Sequence, residues 1–141
     1  MILFFSETKF QLLHKRPIKN WLAEVAKQEN SKMGDVNIVF VNDEQLLGFN
    51  KQYLNHNTFT DIITFDYSED KIINGDLFIS IERVKENAQK YRCAFEEELR
   101  RVMAHGILHL CGYKDKNNAD TLLMKQKEEK ALFLFNTQFN Y

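Results

Sequence analysis

The most informative stretch of this sequence reads EELRRVMAHGILHLCGYKD over residues 97–115. His105 and His109 lie four residues apart, so on a helix their imidazoles point the same way and can meet one metal ion. Gly112 allows a left-handed residue just after the helix end. The reversal that it permits can bring Asp115 back over the same face as a third ligand. Three protein ligands leave a fourth position for water, which is the arrangement of catalytic zinc sites.

The pair of histidines is by itself a weak signal. Gly112, seven residues after His105, and Asp115, ten residues after it, match the extended zincin spacing. The competing interpretation is two polar residues at the end of a core helix, where the helix dipole favours His109. Cys111 is two residues beyond His109 and points to another helix face, so we expect a small buried apolar residue there rather than a thiolate ligand.

Gly106 limits the kind of enzyme that this helix can serve. In zinc peptidases of the His-Glu-x-x-His type, that position carries the general base, and glycine cannot take a proton. Glycine also costs about 1 kcal/mol relative to alanine within a helix, so we expect the close approach of another backbone or of a bulky substrate to compensate. A peptidase is therefore disfavoured, and hydrolysis that depends mainly on a metal-activated water is favoured.

Composition bounds the class of protein. The chain has 141 residues, 44% hydrophobic and 13% aromatic, with 19 basic against 20 acidic side chains. This length predicts one domain over residues 1–141, and the composition excludes a disordered chain. Two cysteines provide no disulfide framework, and no apolar run approaches the ~20 residues of a membrane helix. We expect a cytoplasmic protein with no membrane contact, in which any nucleic-acid contact comes from a local basic groove and is sensitive to salt.

Apolar periodicity predicts strands mixed with helices, followed by helices alone. This order is typical of an α+β fold with a small mixed sheet packed against helices. The metal site is expected at the end of a core helix. Asn74-Gly75 is expected to form a hairpin turn. Pro17 is expected at the first position of a helix, and Asn42 or Asp43 is expected to cap the next one. The expected strands are Ile2 to Phe5, Thr8 to Leu13, Asp35 to Val41, Thr60 to Tyr67 and Asp76 to Ile81. The expected final helices are Glu82 to Tyr91, Glu96 to Leu110 and Asp120 to about Phe135.

The segment from Glu98 to Tyr113 closely resembles the signature of the YbeY-type family. Two upstream segments resemble blocks of the same family: Asn50 to Tyr53 with Thr60 to Phe65, and Gly75 to Ser80. The resemblance implies a metal-dependent, single-strand-specific endoribonuclease that acts in 16S rRNA 3′-end maturation and ribosome quality control. It also implies rRNA, the small ribosomal subunit, and a ribosomal protein or assembly GTPase as partners.

Two positions depart from the family pattern. The third ligand is usually histidine, and Asp115 stands in its place; a carboxylate can bind zinc at a similar distance, but it would make a bound water less acidic. An arginine usually follows the tyrosine of the Asn-x-x-Tyr block, and here that position is Leu54. A bidentate phosphate clamp is therefore missing there. The residues that could replace it are Lys51, His56 and Arg83.

The sequence thus predicts a metal-dependent hydrolase in which His105, His109 and Asp115 hold one Zn²⁺ and act through its bound water on a phosphodiester. Nickel or manganese would also fit these ligands. Two alternatives stay open: a zinc peptidase or amidase, and a non-catalytic ribosome-assembly factor that uses the metal only for folding.

Overall fold

The computed structural model describes residues 1–54 and 60–140, with the backbone alone at residue 54. Strands and helices alternate in the first half, and helices alone make up the second half, as the sequence predicts. The elements are β1 (Ile2–Ser6), α1 (Lys15–Gln28), β2 (Lys32–Val41), α2 (Asp43–Leu54), β3 (Ile62–Asp66), β4 (Ile72–Ser80), α3 (Ile81–Tyr91), α4 (Phe95–Leu110), α5 (Asn118–Leu134) and a π-helical turn (Phe135–Phe139).

The sheet has the strand order β1-β2-β4-β3. β1 is parallel to β2 and β2 to β4, whereas β3 is antiparallel to β4. The small mixed sheet of an α+β fold is therefore confirmed.

Alternating side chains divide the sheet into two faces. On one face, Ile38, Leu77 and Ile79 are fully buried in the main core, which α1, α4 and α5 complete. On the other face, Val41 and Ile63 form a smaller core with Leu46 of α2. Within the main core, α4 is the buried central helix, because apolar side chains occupy most of its circumference. Its buried apolar residues are Leu99, Val102, Met103, Ala104, Ile107, Leu108 and Leu110.

Two sequence-based predictions of local structure are wrong. Thr8 to Leu13 is not a strand, because the Ser6 hydroxyl bonds to the Phe10 carbonyl at 2.6 Å and the Phe10 amide donates to Thr8 Oγ1 at 3.1 Å. Such local bonds from Ser and Thr compete with strand pairing. Asn74-Gly75 lies inside β4 rather than at a turn.

The hairpin turn between β3 and β4 lies a few residues earlier. Asp70 and Lys71 have φ values of 50° and 66°, and Glu69 and Ile72 bridge across them. Two positive φ values are what a tight two-residue hairpin needs. Gly75 instead provides space, since a Cβ there would lie 2.5 Å from the Phe65 carbonyl oxygen.

Helix starts lie close to the predicted positions. α1 begins at Lys15, so Pro17 is its third residue rather than its first, and no bond is lost because the first four amides of a helix have no partner within it. Asn42 precedes α2 as predicted; its side-chain oxygen accepts from the Gln45 amide at 2.8 Å, and the Gln45 side chain accepts from the Asn42 amide at 3.0 Å. This reciprocal pair has the hydrogen bonds of a capping box.

Gly75 and Gly48 provide a matched pair of glycine substitutions. Gly75→Ala should lower the free energy of unfolding by about 2–3 kcal/mol, because the new methyl group meets backbone that cannot move aside. Gly48 is exposed on α2 with no atom within 4 Å of the added carbon, so Gly48→Ala should raise it by about 0.5–1 kcal/mol through helix propensity. Urea denaturation of both variants measures the difference, and equal effects at the two positions would contradict the packing described for β4.

Candidate metal centre

The metal-ligand candidates come from the end of α4 and the turn that follows it. α4 carries His105 and His109 on one face, and Gly112 reverses the chain with a φ of 107°, as the sequence predicts. The Gly112 amide bonds to the His109 carbonyl at 3.0 Å, and the Tyr113 amide bonds to the Leu108 carbonyl at 3.1 Å. These bonds close the helix end and turn the next residues back over the histidines.

The reversal brings Asp115 to both imidazoles. Asp115 Oδ2 lies 3.5 Å from His105 Nε2 and 3.4 Å from His109 Nε2. One ligand atom from each residue falls within 4.8 Å of the other two, and no other such group of three occurs in residues 1–54 and 60–140. Donors about 2.0–2.2 Å from one tetrahedral zinc are separated by roughly 3.3–3.5 Å. The two Asp115–imidazole distances match that separation, so Asp115 is placed to share a zinc-sized cation with either histidine.

Each histidine is oriented through its second ring nitrogen. His105 Nδ1 lies 2.6 Å from Glu128 Oε2, and His109 Nδ1 lies 2.8 Å from the carbonyl oxygen of Tyr113. Both contacts suit an Nδ1–H donor, and in the neutral imidazole that tautomer presents the lone pair of Nε2 toward Asp115. Carboxylate and carbonyl partners of this kind fix the tautomer and the ring orientation of metal-ligating histidines.

Acidic groups dominate the surroundings of the site. Burial opposes protonation of His105, but the hydrogen bond and charge of Glu128, together with Asp61 and Asp115, raise its pKa above the ordinary value. Burial also raises the pKa of Asp61, and the charge of His105 is the largest influence in the opposite direction. A cation between the imidazoles would therefore lie in a field that favours positive charge.

Arg101 balances part of this negative charge. It lies one turn before His105 on α4, and its guanidinium contacts Glu129 at 2.7 Å and Glu128 at 3.6 Å. Its Nε lies 3.6 Å from Glu98, whose side chain is only 4% exposed. Glu98, Arg101 and His105 thus form one polar stripe along α4, against α5.

Gly106 does not face the metal ligands. A Cβ there would lie 2.8 Å from methyl groups of both Ile62 and Leu77, so this residue packs against the sheet. The predicted compensation by a neighbouring backbone or a substrate is wrong: side chains of β3 and β4 fill the space. Cys111 is partly buried beside the main core, as expected for an apolar role.

The structure gives Lys51 and Arg83, two of the predicted RNA-contacting residues, a place on α2 and α3 rather than on the α4 turn that carries His109 and Asp115. Arg83 lies at the start of α3, where its Nε contacts Asp43 at 3.1 Å and its Nη2 pairs with Glu86. Lys51 is exposed on the last turn of α2. His56 and the side chain of Leu54 lie outside the described residues. Contact of Lys51, His56 and Arg83 with RNA stays a prediction.

Sequence reasoning missed Glu128, the residue that orients His105. Its signal is a lone acid in an apolar helical register, because Met124, Glu128, Ala131 and Leu132 are all buried on α5. A buried carboxylate at such a position requires a partner. Sequence reasoning also missed Asp61 and Glu98 as members of the site, because their burial depends on how distant segments pack.

An α+β fold with two histidines and a carboxylate converging at a helix end defines a candidate metallohydrolase. The family model described as Endoribonuclease YbeY matches residues 5–136. A protein named Endoribonuclease YbeY from Flavobacterium psychrophilum is 51% identical over 99% of this chain and 100% of its own length. Another of that name, from Flavobacterium johnsoniae, is 48% identical over 98% of this chain and 99% of its own. The chain belongs to the YbeY family.

A solved structure shares the fold. The solution structure of a protein from Thermotoga maritima has a TM-score of 0.67 and 29% identity, and the match covers 94% of this chain and 87% of that one. Within the described residues, no helix is both long and apolar enough to cross a bilayer.

Glu98 should make the stability of the metal-free protein depend on pH. Burial, with Asp61, Glu128 and Glu97 nearby, raises its pKa to about 7 despite Arg101. The folded state therefore holds this proton more tightly than the unfolded chain, and stability falls as pH rises from about 4.5 to about 7. Glu98→Gln keeps the shape of the neutral side chain. Between pH 5 and pH 8, its free energy of unfolding should therefore rise by on the order of 2–3 kcal/mol relative to that of the unsubstituted protein.

Urea denaturation in a chelator at the two pH values measures this change. Glu129→Gln, an exposed neighbour of the same charge cluster, serves as the control. A Glu98→Gln effect that is identical at pH 5 and pH 8 would show that Glu98 is ionised throughout this range.

Proposed function

We propose that residues 1–141 form a single metal-dependent hydrolase domain that cleaves single-stranded RNA at a zinc centre held by His105, His109 and Asp115. Membership of the YbeY family makes the chain an endoribonuclease, and thereby a hydrolase that acts on RNA. The observation that supports the metal centre is the convergence of three ligand atoms within 4.8 Å, with both imidazoles already oriented from behind.

The residues of this site divide the work between holding the cation and aligning its ligands. Zinc, when bound, would supply Lewis acidity and lower the pKa of a coordinated water toward neutrality. Glu128 keeps the Nε2 atom of His105 directed at the site, and the Tyr113 carbonyl does the same for His109. Asp115 provides the anionic ligand on a solvent-facing turn, where its side chain is 48% exposed. That exposure leaves one side of the centre open to an RNA strand.

The cellular role that we propose follows from the family resemblance. The substrate would be rRNA of the small ribosomal subunit, cleaved during 16S 3′-end maturation and ribosome quality control. Partners of this activity would be the small subunit itself and a ribosomal protein or an assembly GTPase. The protein would act in the cytoplasm.

Gly106 argues against the alternative of a zinc peptidase or amidase. The position that carries the general base in His-Glu-x-x-His peptidases is here a glycine packed against Ile62 and Leu77. A carboxylate at this position would have to displace the sheet, so the helix could not present a base to a peptide there. The second alternative, a metal-stabilised assembly factor without catalysis, shares the same ligands and is separated from our proposal by activity alone.

Metal content and RNA cleavage by the same pair of proteins test the proposal. The unsubstituted protein should carry about one zinc per chain, and the variant His105→Ala/His109→Ala/Asp115→Ala should carry none. The variant should also lose cleavage of a single-stranded RNA. Thr121→Ala, an exposed and uncharged change on α5, should keep both the metal and the activity. Elemental analysis and a gel assay on labelled single-stranded RNA give the two readouts.

The possible outcomes separate the alternatives. Two metal-free proteins of equal stability would overturn the metal centre. Metal-dependent cleavage of peptides with intact RNA would favour the peptidase. Zinc-dependent stability without any RNA cleavage would favour the assembly factor.

A further inference from the structure

Glu29, Lys127 and Tyr113 form a polar cluster behind the metal-ligand turn. Glu29 follows the last residue of α1, Lys127 lies on α5, and Tyr113 is the residue before Lys114 and Asp115 in the turn. The Tyr113 hydroxyl donates to Glu29 Oε2, and Lys127 Nζ lies 2.9 Å from Glu29 Oε1. Lys127 Nζ also lies 5.4 Å from the centre of the Tyr113 ring. Two helices therefore hold one tyrosine side chain.

The Glu29 carboxylate is a strong acceptor in this cluster. Its side chain is 12% exposed, and an ionised carboxylate so nearly buried needs partners. Burial opposes ionisation, but the hydrogen bonds from Tyr113 and Lys127 lower the pKa of Glu29 below its ordinary value. Hydrogen bonds to a charged acceptor are about twice as strong as neutral ones. The tyrosine is thus anchored more firmly than packing alone would achieve.

The backbone of the same tyrosine is in contact with a metal ligand. The Tyr113 carbonyl oxygen lies 2.8 Å from His109 Nδ1. Its amide is fixed by the Leu108 carbonyl at the helix end, but that bond does not determine the direction of the chain beyond residue 113. The side chain of Tyr113, held by Glu29 and Lys127, provides the second point that sets this direction and thereby the position of Asp115.

α5 thus supports both histidines through adjacent residues. Glu128 contacts His105 directly, whereas Lys127 reaches His109 through Glu29 and Tyr113. The two routes end at different ligands, so the loss of one leaves the other in place.

We propose that Glu29 and Lys127 are positioning residues of the metal centre, which clamp Tyr113 so that its carbonyl orients His109 and the turn presents Asp115 to the same cation. This inference rests on the metal centre proposed above. The clamp acts on the free energy of metal binding, because any loosening of the turn must be reversed each time that the three ligands close on the ion.

Zn²⁺ affinity, measured by competition with a chromophoric chelator, tests the clamp. Glu29→Ala removes the shared acceptor and Tyr113→Phe removes only the hydroxyl; each should weaken Zn²⁺ binding about tenfold, the lower end of the loss for an outer-shell partner. The double variant should lose no more Zn²⁺ affinity than the more affected of the two single variants, because both substitutions remove the same link. Lys127→Arg should retain most of the affinity, and Lys125→Met, an exposed change two residues earlier on α5, should retain all of it.

Co²⁺ substitution provides a readout that depends on ligand geometry rather than on fold. The visible absorption of the Co²⁺-loaded protein should change in intensity and position in Glu29→Ala and Tyr113→Phe, but not in Lys125→Met. Thermal unfolding in a chelator measures the effect of each variant on the fold alone.

Unchanged Zn²⁺ affinity and an unchanged Co²⁺ spectrum in Tyr113→Phe, which keeps the ring, would overturn the clamp even if Glu29→Ala unfolds. Lower stability in chelator with full metal affinity would assign the cluster to the fold only, and would also overturn it. If the unsubstituted protein binds no zinc, the metal centre itself fails; loss of the metal in His105→Ala with full affinity in Tyr113→Phe would keep the centre and reject only the clamp.

Discussion

Helix α4 lies directly against the sheet because glycines stand where the two surfaces meet. At Gly106, on the helix, a side-chain carbon would overlap methyl groups of Ile62 and Leu77; at Gly75, on β4, it would lie 2.8 Å from a methyl group of Leu110 and closer still to the backbone of β3. This contact fixes both the depth and the rotation of α4. Adjacent residues of a helix point about 100° apart. Because Gly106 faces β3 and β4, His105 is turned away from the sheet and toward Glu128 of α5.

The same rotation places a polar stripe where α4 meets α5. Glu98, Arg101 and His105 recur at offsets of three and four along the helix; Arg101 and His105 contact Glu128, and Glu98 contacts Arg101. Burying so many charges is costly unless each is paired. Arg101 is a single cation among several carboxylates, and Glu98 Oε1 has no hydrogen bond within the described residues. A cation held by His105 would add positive charge beside Glu128, at the His105 end of the stripe.

The sequence predicted the fold class, the helices and the convergence of His105, His109 and Asp115 because these depend on local spacing: four residues between the histidines, and a glycine that permits the turn toward Asp115. It failed where the outcome depends on contacts between distant segments. Gly75 has the appearance of a turn residue, yet its role is set by β3 and α4, which no local pattern describes. Glu128 is separated by 23 residues from the histidine that it orients, and only the packing of α5 on α4 makes that carboxylate part of the site.

The acids around the proposed metal site also determine how strongly a bound cation would attract RNA. The carboxylates of Asp115 and Glu128 would offset the two positive charges of a zinc ion, whereas a third histidine in place of Asp115 would leave one of them. A phosphodiester that approaches this centre would therefore meet little net positive charge from the bound metal and its immediate partners. Attraction of the RNA backbone must come from cationic side chains elsewhere on the surface. Leu54 has no charge to contribute, so in the proposed enzyme substrate capture would depend on those side chains, and catalysis on the alignment of Asp115 and the two histidines.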